Sequence, residues 1–380
     1  MKSDVPLLMA PGPVEVDQKV YDVMSKRIMH HRTPPFGEVY REISKKAGLF
    51  FGTKNDVYML TSSGTGAIEA SVCNMVNKGD KVLSVSIGKF GERFHKICLQ
   101  YGADATFLQA KDGSGVTPKT VRKMLDETGA EIITITHNET STATTNPIGE
   151  IAKEVADDAL MLVDGVSSIG GIPYHHDDWG TAISFTGSQK ALGVPPGLAF
   201  ITIADKAWDK IEKCTSPKYY FDLKKSKDFL DKKGQTPYTP AISIALATNK
   251  ALDLLLEDGV EATFKKQETI AKSVWAGGKA MGLDFFAEEE YRSKMLTAFN
   301  APPEIDTEAM RKILKEKYNV QVAGGQDHLK GKIFRIGHMG AIGEKEIIQT
   351  FEGLVASFKE VGYESKDDPI PAIKEVFNND

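Results

Sequence analysis

Between residues 57 and 203, short apolar runs alternate with amphipathic stretches, and no other feature restricts the fold as strongly. The runs at 57–60, 82–87, 105–108, 131–136, 160–164, 182–186 and 198–203 are rich in Val, Ile, Leu and Ala and predict strands. Helical periodicity lies between several of them, at 66–77, 91–101, 118–127 and 149–157. Strands apolar on both faces, alternating with helices, predict an α/β fold with a mostly parallel seven-stranded sheet flanked by helices. Such sheets bind ligands beyond the carboxyl ends of their strands, so the chemistry is sought there.

A chain of 380 residues is too long for one simple core. A long helix over 239–257 is expected to join the large domain to a smaller one. Beyond 262 the pattern is α+β, with strands near 297–300, 320–323 and 332–336, and the tail 365–380 reads as a helical turn on the surface. The expected division is an N-terminal arm (1–15), a large domain (16–261) and a small C-terminal domain (262–380). A net charge of −5 gives no electrostatic attraction for nucleic acid or a membrane surface. No apolar run approaches the ~20 residues that span a bilayer. The three cysteines, Cys73, Cys98 and Cys214, are too widely spaced for a disulfide framework or a metal site. The adjacent histidines His30-His31 and His175-His176 project in different directions, so a metal-independent protein is expected. The N-terminus lacks a secretory pattern, and a cytoplasmic location is expected.

Three features sit at strand ends. TSSGTGAIEAS (61–71) follows the strand VYML, and its small residues leave backbone amides open at a helix start, where a phosphate is the natural guest. An ordinary turn capped by Ser63 or Thr65 would use the same residues. LMLVDGVSS ends an apolar run on Asp164, a costly place for a carboxylate unless it meets a cation; a helix cap or turn aspartate is the plainer alternative. SFTGSQKALGVPPG places Lys190 among small and apolar residues, where a desolvated amine becomes a nucleophile for carbonyl carbons. Asp164 and Lys190 lie 26 residues apart, each at or just beyond the end of consecutive predicted strands, so both can face one pocket. Together the three suit pyridoxal phosphate: lysine forms a Schiff base, the carboxylate holds the pyridinium proton, and the helix start receives the phosphate.

SGTGAIEA, THNETST, LVDGVSS, SFTGSQKAL and KIFRIGHMG resemble the motifs of the class V, fold type I, pyridoxal-phosphate aminotransferases. The similarity is greatest to the alanine–glyoxylate and serine–pyruvate group, from Ala10 to about Gly353. The resemblance implies the following roles. Lys190 joins the aldehyde of pyridoxal 5'-phosphate and shuttles the Cα proton, and Asp164 keeps the ring nitrogen protonated. Gly64, Thr65 and Gly66 form the phosphate loop, with Gln189 reaching the same phosphate. Phe90 covers the cofactor ring where the group often has tryptophan. Thr140 hydrogen-bonds near cofactor and substrate. Arg335 grips the substrate α-carboxylate by a bidentate fork. Gly12, in the loop 10–14, lines the substrate pocket. Thr239 contacts the phosphate of a neighbouring subunit, and HHRTPPF (30–36) lies near the interface, so a homodimer with active sites at the interface is implied. His31 or Arg32, reaching across from the partner subunit, is a candidate for a second substrate anion. His137 and Glu139 have no assigned role.

The expected activity is transfer of an amino group from alanine, serine or aspartate to glyoxylate or pyruvate, by a ping-pong mechanism. A lyase of the same fold and a non-catalytic pyridoxal-phosphate-binding protein are the alternatives. Desulfurase chemistry needs a cysteine on a small-domain loop, and all three cysteines precede residue 215.

Overall fold

The computed structural model describes residues 5–303 and 305–379; the first four residues of the expected arm and Asp380 of the tail lie outside the described residues. Seven strands form the main sheet: β1 (Val57–Leu60), β2 (Lys81–Ser86), β3 (Asp104–Gln109), β4 (Ile132–Thr136), β5 (Leu160–Asp164), β6 (Ile183–Gly187) and β7 (Ala199–Ile203). Their order is β1-β7-β6-β5-β4-β2-β3. Only β7 runs antiparallel to its neighbours. The central strands IITIT and LMLVD are buried nearly throughout, as a sheet covered on both faces requires.

Helices α1 (Gly64–Met75) and α2 (Lys89–Gln100) follow β1 and β2. The first begins two residues before the expected start, because Ser63 is extended (φ −95°, ψ 174°) and helical geometry begins directly after it. The expected joining helix over 239–257 is shorter, α3 (Ile242–Leu255). Pro240 and Gly259 flank it, and a separate helix, α4 (Val260–Ala280), continues the chain.

A second core packs around β8 (Leu296–Asn300), β9 (Ala323–Gly324) and β10 (Ile333–Gly337), in the order β8-β10-β9. The single strand expected over 320–323 is split. Val320–Gln321 pairs in parallel with Leu7–Leu8, and Ala323 pairs with Arg335. The arm therefore reaches across to the second core before it passes the main sheet. The tail is more than a surface turn: Pro369–Asn379 is a helix whose Ile373 is fully buried in that core, against α4. Apolar positions Ile370, Ile373 and Phe377 fall on one helical face. No helix among the described residues is long and apolar enough to cross a membrane.

Candidate active site

Thr136 and Asp164, the last residues of β4 and β5, lie side by side, and Asp164 also pairs with Phe185, two residues before the end of β6. The loops that leave these strands carry Thr140, Ser167 and Lys190. The parallel register thus brings together residues from three separate motifs.

Lys190 is buried, and its ammonium donates to the Pro11 carbonyl and lies 3.5 Å from the Thr140 hydroxyl. Burial, reinforced by the positive charge of Arg335, pulls it down from the usual lysine range to about 8; Asp164 opposes the shift in part. Asp164 is also buried, and its Oδ1 accepts a hydrogen bond from the Val166 amide at 2.9 Å. Burial pushes its carboxyl up to about 7, against the pull of that amide. These two groups of opposite charge form no ion pair with each other. A ligand with an electrophilic carbonyl at one end and a protonated ring nitrogen at the other would answer both.

At the anion end, Ser63 makes no side-chain cap at the start of α1. Thr65 does not cap it either; its hydroxyl accepts from the Arg93 guanidinium at 2.8 Å. The plain capped turn is therefore not what forms, and first-turn amides are left for an acceptor outside the helix. Gly66 is buried in that first turn, its amide bonded to the Ser63 carbonyl. A Cβ at Gly64 would fall 2.6 Å from a methyl of Val166, so only glycine lets this loop lie against the turn after Asp164. Nearby, Gln189 holds a buried side-chain oxygen without a hydrogen-bond partner. An amide's oxygen and nitrogen exchange places by a flip, so a phosphate could be met by the donor end. Phe90 is half-buried rather than a core residue, and the Arg93 guanidinium stands 4.6 Å from its ring centre. The orphaned amide oxygen, the tight glycine contact and the Lys190–Asp164 arrangement all fit pyridoxal phosphate.

Arg335, on β10, is buried and forms no surface ion pair. It donates from Nε and one terminal nitrogen to the Gly324 carbonyl (2.9 and 2.7 Å), and from the other to the Thr140 carbonyl (2.6 Å). Of five N–H groups three are used, which leaves one on each terminal nitrogen, the pair that suits a carboxylate. Burial lowers its pKa to about 10, still fully charged near neutrality.

The arm completes the enclosure. Gly12 has φ of 131°, and a Cβ there would sit 2.6 Å from Lys190 Cε and 2.7 Å from its Nζ. Gly12→Ala is expected to lower kcat/KM by ~10²-fold, because the clash falls on the movable lysine end and misplaces the reacting amine. The strained backbone should cost only about 1–3 kcal/mol in a thermal unfolding assay. Loss of folding in parallel with activity would contradict this.

Other singled-out residues have the following surroundings within the single chain. Thr239 is exposed, with its hydroxyl 3.4 Å from His31 Nε2, and it hydrogen-bonds none of the residues above. The Arg32 guanidinium donates to Gln235 Oε1 (3.1 Å) and to the carbonyls of Thr236 (2.6 Å) and Pro237 (2.8 Å), which fixes it against the 235–237 turn. Burial, and after it the charge of Arg32, lowers the pKa of His31. His137 packs against Tyr174 and Trp179 and is driven by burial to about 3, so it stays neutral.

Glu139 has a structural task that the sequence left open. Fully buried, its carboxylate accepts from the amides of Phe90 (2.9 Å), Gly91 (3.2 Å) and Ser141 (2.9 Å) and from the Ser141 hydroxyl (2.7 Å). It thereby caps α2 and ties the Phe90 segment to the Thr140 loop. Sequence reasoning also missed Ser167, whose hydroxyl lies 2.5 Å from that of Thr140, and Pro11. For Arg93 a signal existed: it stands three residues after Phe90 on one helix, which places the two on one face.

Residues 16–339 match the family described as Aminotransferase class-V. A Methanocaldococcus jannaschii protein named as an uncharacterized aminotransferase is 43% identical over 97% of this chain and 97% of its own length. A protein of a Synechococcus species named as the small subunit of a soluble hydrogenase is 35% identical, over 95% of this chain and 94% of its own. The crystal structure of ureidoglycine–glyoxylate aminotransferase from Bacillus subtilis superposes with a TM-score of 0.95, at 30% identity, over the full length of both chains. With that match over most of its length, the chain belongs to the class V aminotransferases, of fold type I, and is a pyridoxal-phosphate-dependent transaminase of the alanine–glyoxylate and serine–pyruvate group.

Proposed function

We propose that the protein moves an amino group from a small α-amino acid (alanine, serine or aspartate) to a 2-oxo acid, glyoxylate or pyruvate, in two half-reactions at one site. The observation that carries this reading is the meeting of Lys190, Asp164 and Arg335 around the ends of β4, β5 and β6. The name of the Bacillus subtilis protein, which includes glyoxylate, supports that acceptor.

The bound cofactor supplies the electron sink on which amino-group transfer depends. Lys190 Nζ, held near 8, is available near neutral pH both to bond a carbonyl carbon and to take the proton from the substrate Cα. Asp164 holds a proton on the ring nitrogen. In the phosphate loop Gly64 and Thr65 offer amides, and Thr65 a hydroxyl, to the phosphate; Gly66, whose amide is held by the Ser63 carbonyl, leaves room for it, with Gln189 beside them. Phe90 covers one ring face. The two remaining N–H groups of Arg335 fix the substrate carboxylate, and Thr140, bound through its carbonyl to Arg335 and facing Lys190 with its hydroxyl, keeps the two in register. The arm at Pro11-Gly12 excludes water from the amine. Thr239 and the segment 30–36 complete the site of a second subunit in a homodimer, a role that fits the exposure of Thr239. A cytoplasmic location accords with three free thiols, all buried.

The test is a half-reaction screen. The loaded protein is mixed with each of the twenty amino acids without an acceptor, and the oxo acid formed is measured. A transaminase of this specificity yields one equivalent with alanine, serine or aspartate and stops until glyoxylate or pyruvate is added. Many equivalents without acceptor would identify a lyase, and no reaction with any donor a non-catalytic binding protein.

The hydrogenase name of the Synechococcus relative has no counterpart in the cysteines here. Burial pushes the thiols of Cys73 and Cys98 up to about 12, which keeps them protonated and poor as metal ligands.

A further inference from the structure

Among the described residues, Arg93 is the one cationic side chain that touches both a residue of the phosphate loop and the aromatic residue at the cofactor ring. It donates to the Thr65 hydroxyl at 2.8 Å, and its guanidinium carbon lies 4.6 Å from the centre of the Phe90 ring. It sits in the first turns of α2, so the helix fixes its offset from Phe90.

Its charge is not cancelled locally. Glu92, the adjacent carboxylate, is held by Lys89 and Lys96, both at 2.5 Å, and Asp327 is held by Lys89 at 2.5 Å. Arg93 itself joins no ion pair among the described residues. These side chains line one open cleft together with Gln326. Three cations (Lys89, Arg93, Lys96) against two carboxylates (Glu92, Asp327) leave one positive charge, and Arg93 is the group without a carboxylate. A guanidinium with one hydroxyl acceptor and one ring face still has donors to offer. The start of α1 beside it adds unpaired amides and the positive end of a helix dipole.

We propose that Arg93 is a phosphate-binding residue: its guanidinium balances the charge of the cofactor phosphate from the α2 side while it braces Phe90 over the ring. This rests on the assignment of Gly64, Thr65 and Gly66 as the phosphate loop. Selectivity for the phosphorylated cofactor would then come from a cation as well as from neutral amides. Because Arg93 lies at the cleft mouth, solvent screens its charge, and the expected effect is moderate.

The experiment measures binding of pyridoxal 5'-phosphate and of pyridoxal to the cofactor-free protein, by equilibrium dialysis, for the wild type, Arg93→Gln, Arg93→Lys and Thr65→Ala. Arg93→Gln should weaken the phosphorylated form roughly tenfold and pyridoxal much less, while Arg93→Lys, which keeps the charge, recovers part of the loss. Raising the salt concentration should narrow the gap between wild type and Arg93→Gln. An equal loss for both ligands would show that Arg93 only braces Phe90 and would overturn the proposal, as would no loss at all. If Thr65→Ala also leaves phosphate selectivity intact, the phosphate-loop assignment itself fails. If Thr65→Ala lowers it and Arg93→Gln does not, only the role of Arg93 fails.

Discussion

Lys190→Ala is expected to lower transamination by at least ~10³-fold, since in the proposed function one side chain supplies both the covalent attachment and the proton carrier. The loss should be specific to chemistry. Lys190 is an ammonium held in a buried setting, so alanine removes a group that was costly to bury, and the cofactor-free variant should unfold at a temperature no lower than that of the parent. Two measurements check this. Borohydride treatment of the loaded wild type should fix the cofactor to the peptide containing Lys190, and the variant should show no fixed label. Retained multiple turnover by the variant, or a label on a different lysine, would remove Lys190 from its role.

The second large effect is expected at Asp164. In Asp164→Asn the Val166 amide still meets an oxygen acceptor, so the local hydrogen bond survives. What is lost is the negative charge, and turnover should fall ~10³-fold if, as proposed, Asp164 is the group that keeps the ring nitrogen protonated. Stability should move the other way. Burial raises the Asp164 carboxyl from 3.8 to about 7. Between these pH values the folded chain holds a proton that the unfolded chain has released. The stability of the cofactor-free protein therefore falls as pH rises from about 4 to about 7. Asparagine cannot titrate, so the variant should lack this decline and, at pH 8, exceed the parent by on the order of 1–4 kcal/mol. Urea unfolding of both cofactor-free proteins across this range reads the difference. Parallel pH profiles would mean that Asp164 is not an uncompensated buried acid. In the loaded protein the difference should shrink, because a protonated ring nitrogen gives the carboxylate a partner.

These two effects share a cause. The cofactor-free pocket keeps a base and an acid buried and apart, a destabilising arrangement that serves binding. Glu139 shows the contrasting solution. It is also fully buried, yet four hydrogen bonds converge on it, and it works as a fastener for two loops. Burial of a carboxylate alone does not separate these roles; the number of donors around it does.

The alternation of apolar runs and helices was enough to place all seven strands of the main sheet to within a residue or so, because strand and helix periods are local properties of the chain. The same locality put Asp164 and Lys190 at the ends of neighbouring strands, once the sheet was taken as parallel. Where segments are short or their partners remote, the reading was weaker. The strand expected over 320–323 divides because Leu7–Leu8 claims its first half and β10 its second. The tail folds into a full helix because a core from α4 onward accepts Ile373, which its own sixteen residues do not reveal.

The sequence by itself determined the layered α/β architecture, the lysine and the carboxylate at strand ends, and the glycine-rich helix start, since each follows from patterns a few residues long. Only the tertiary structure decided what surrounds them. Pro11 meets Lys190 across 179 positions and Arg335 meets Thr140 across 195. Arg93 reaches Thr65 across 28, and Arg32 is drawn into the 235–237 turn. Such contacts depend on how the chain closes its loops in space, and no spacing rule along the chain specifies them.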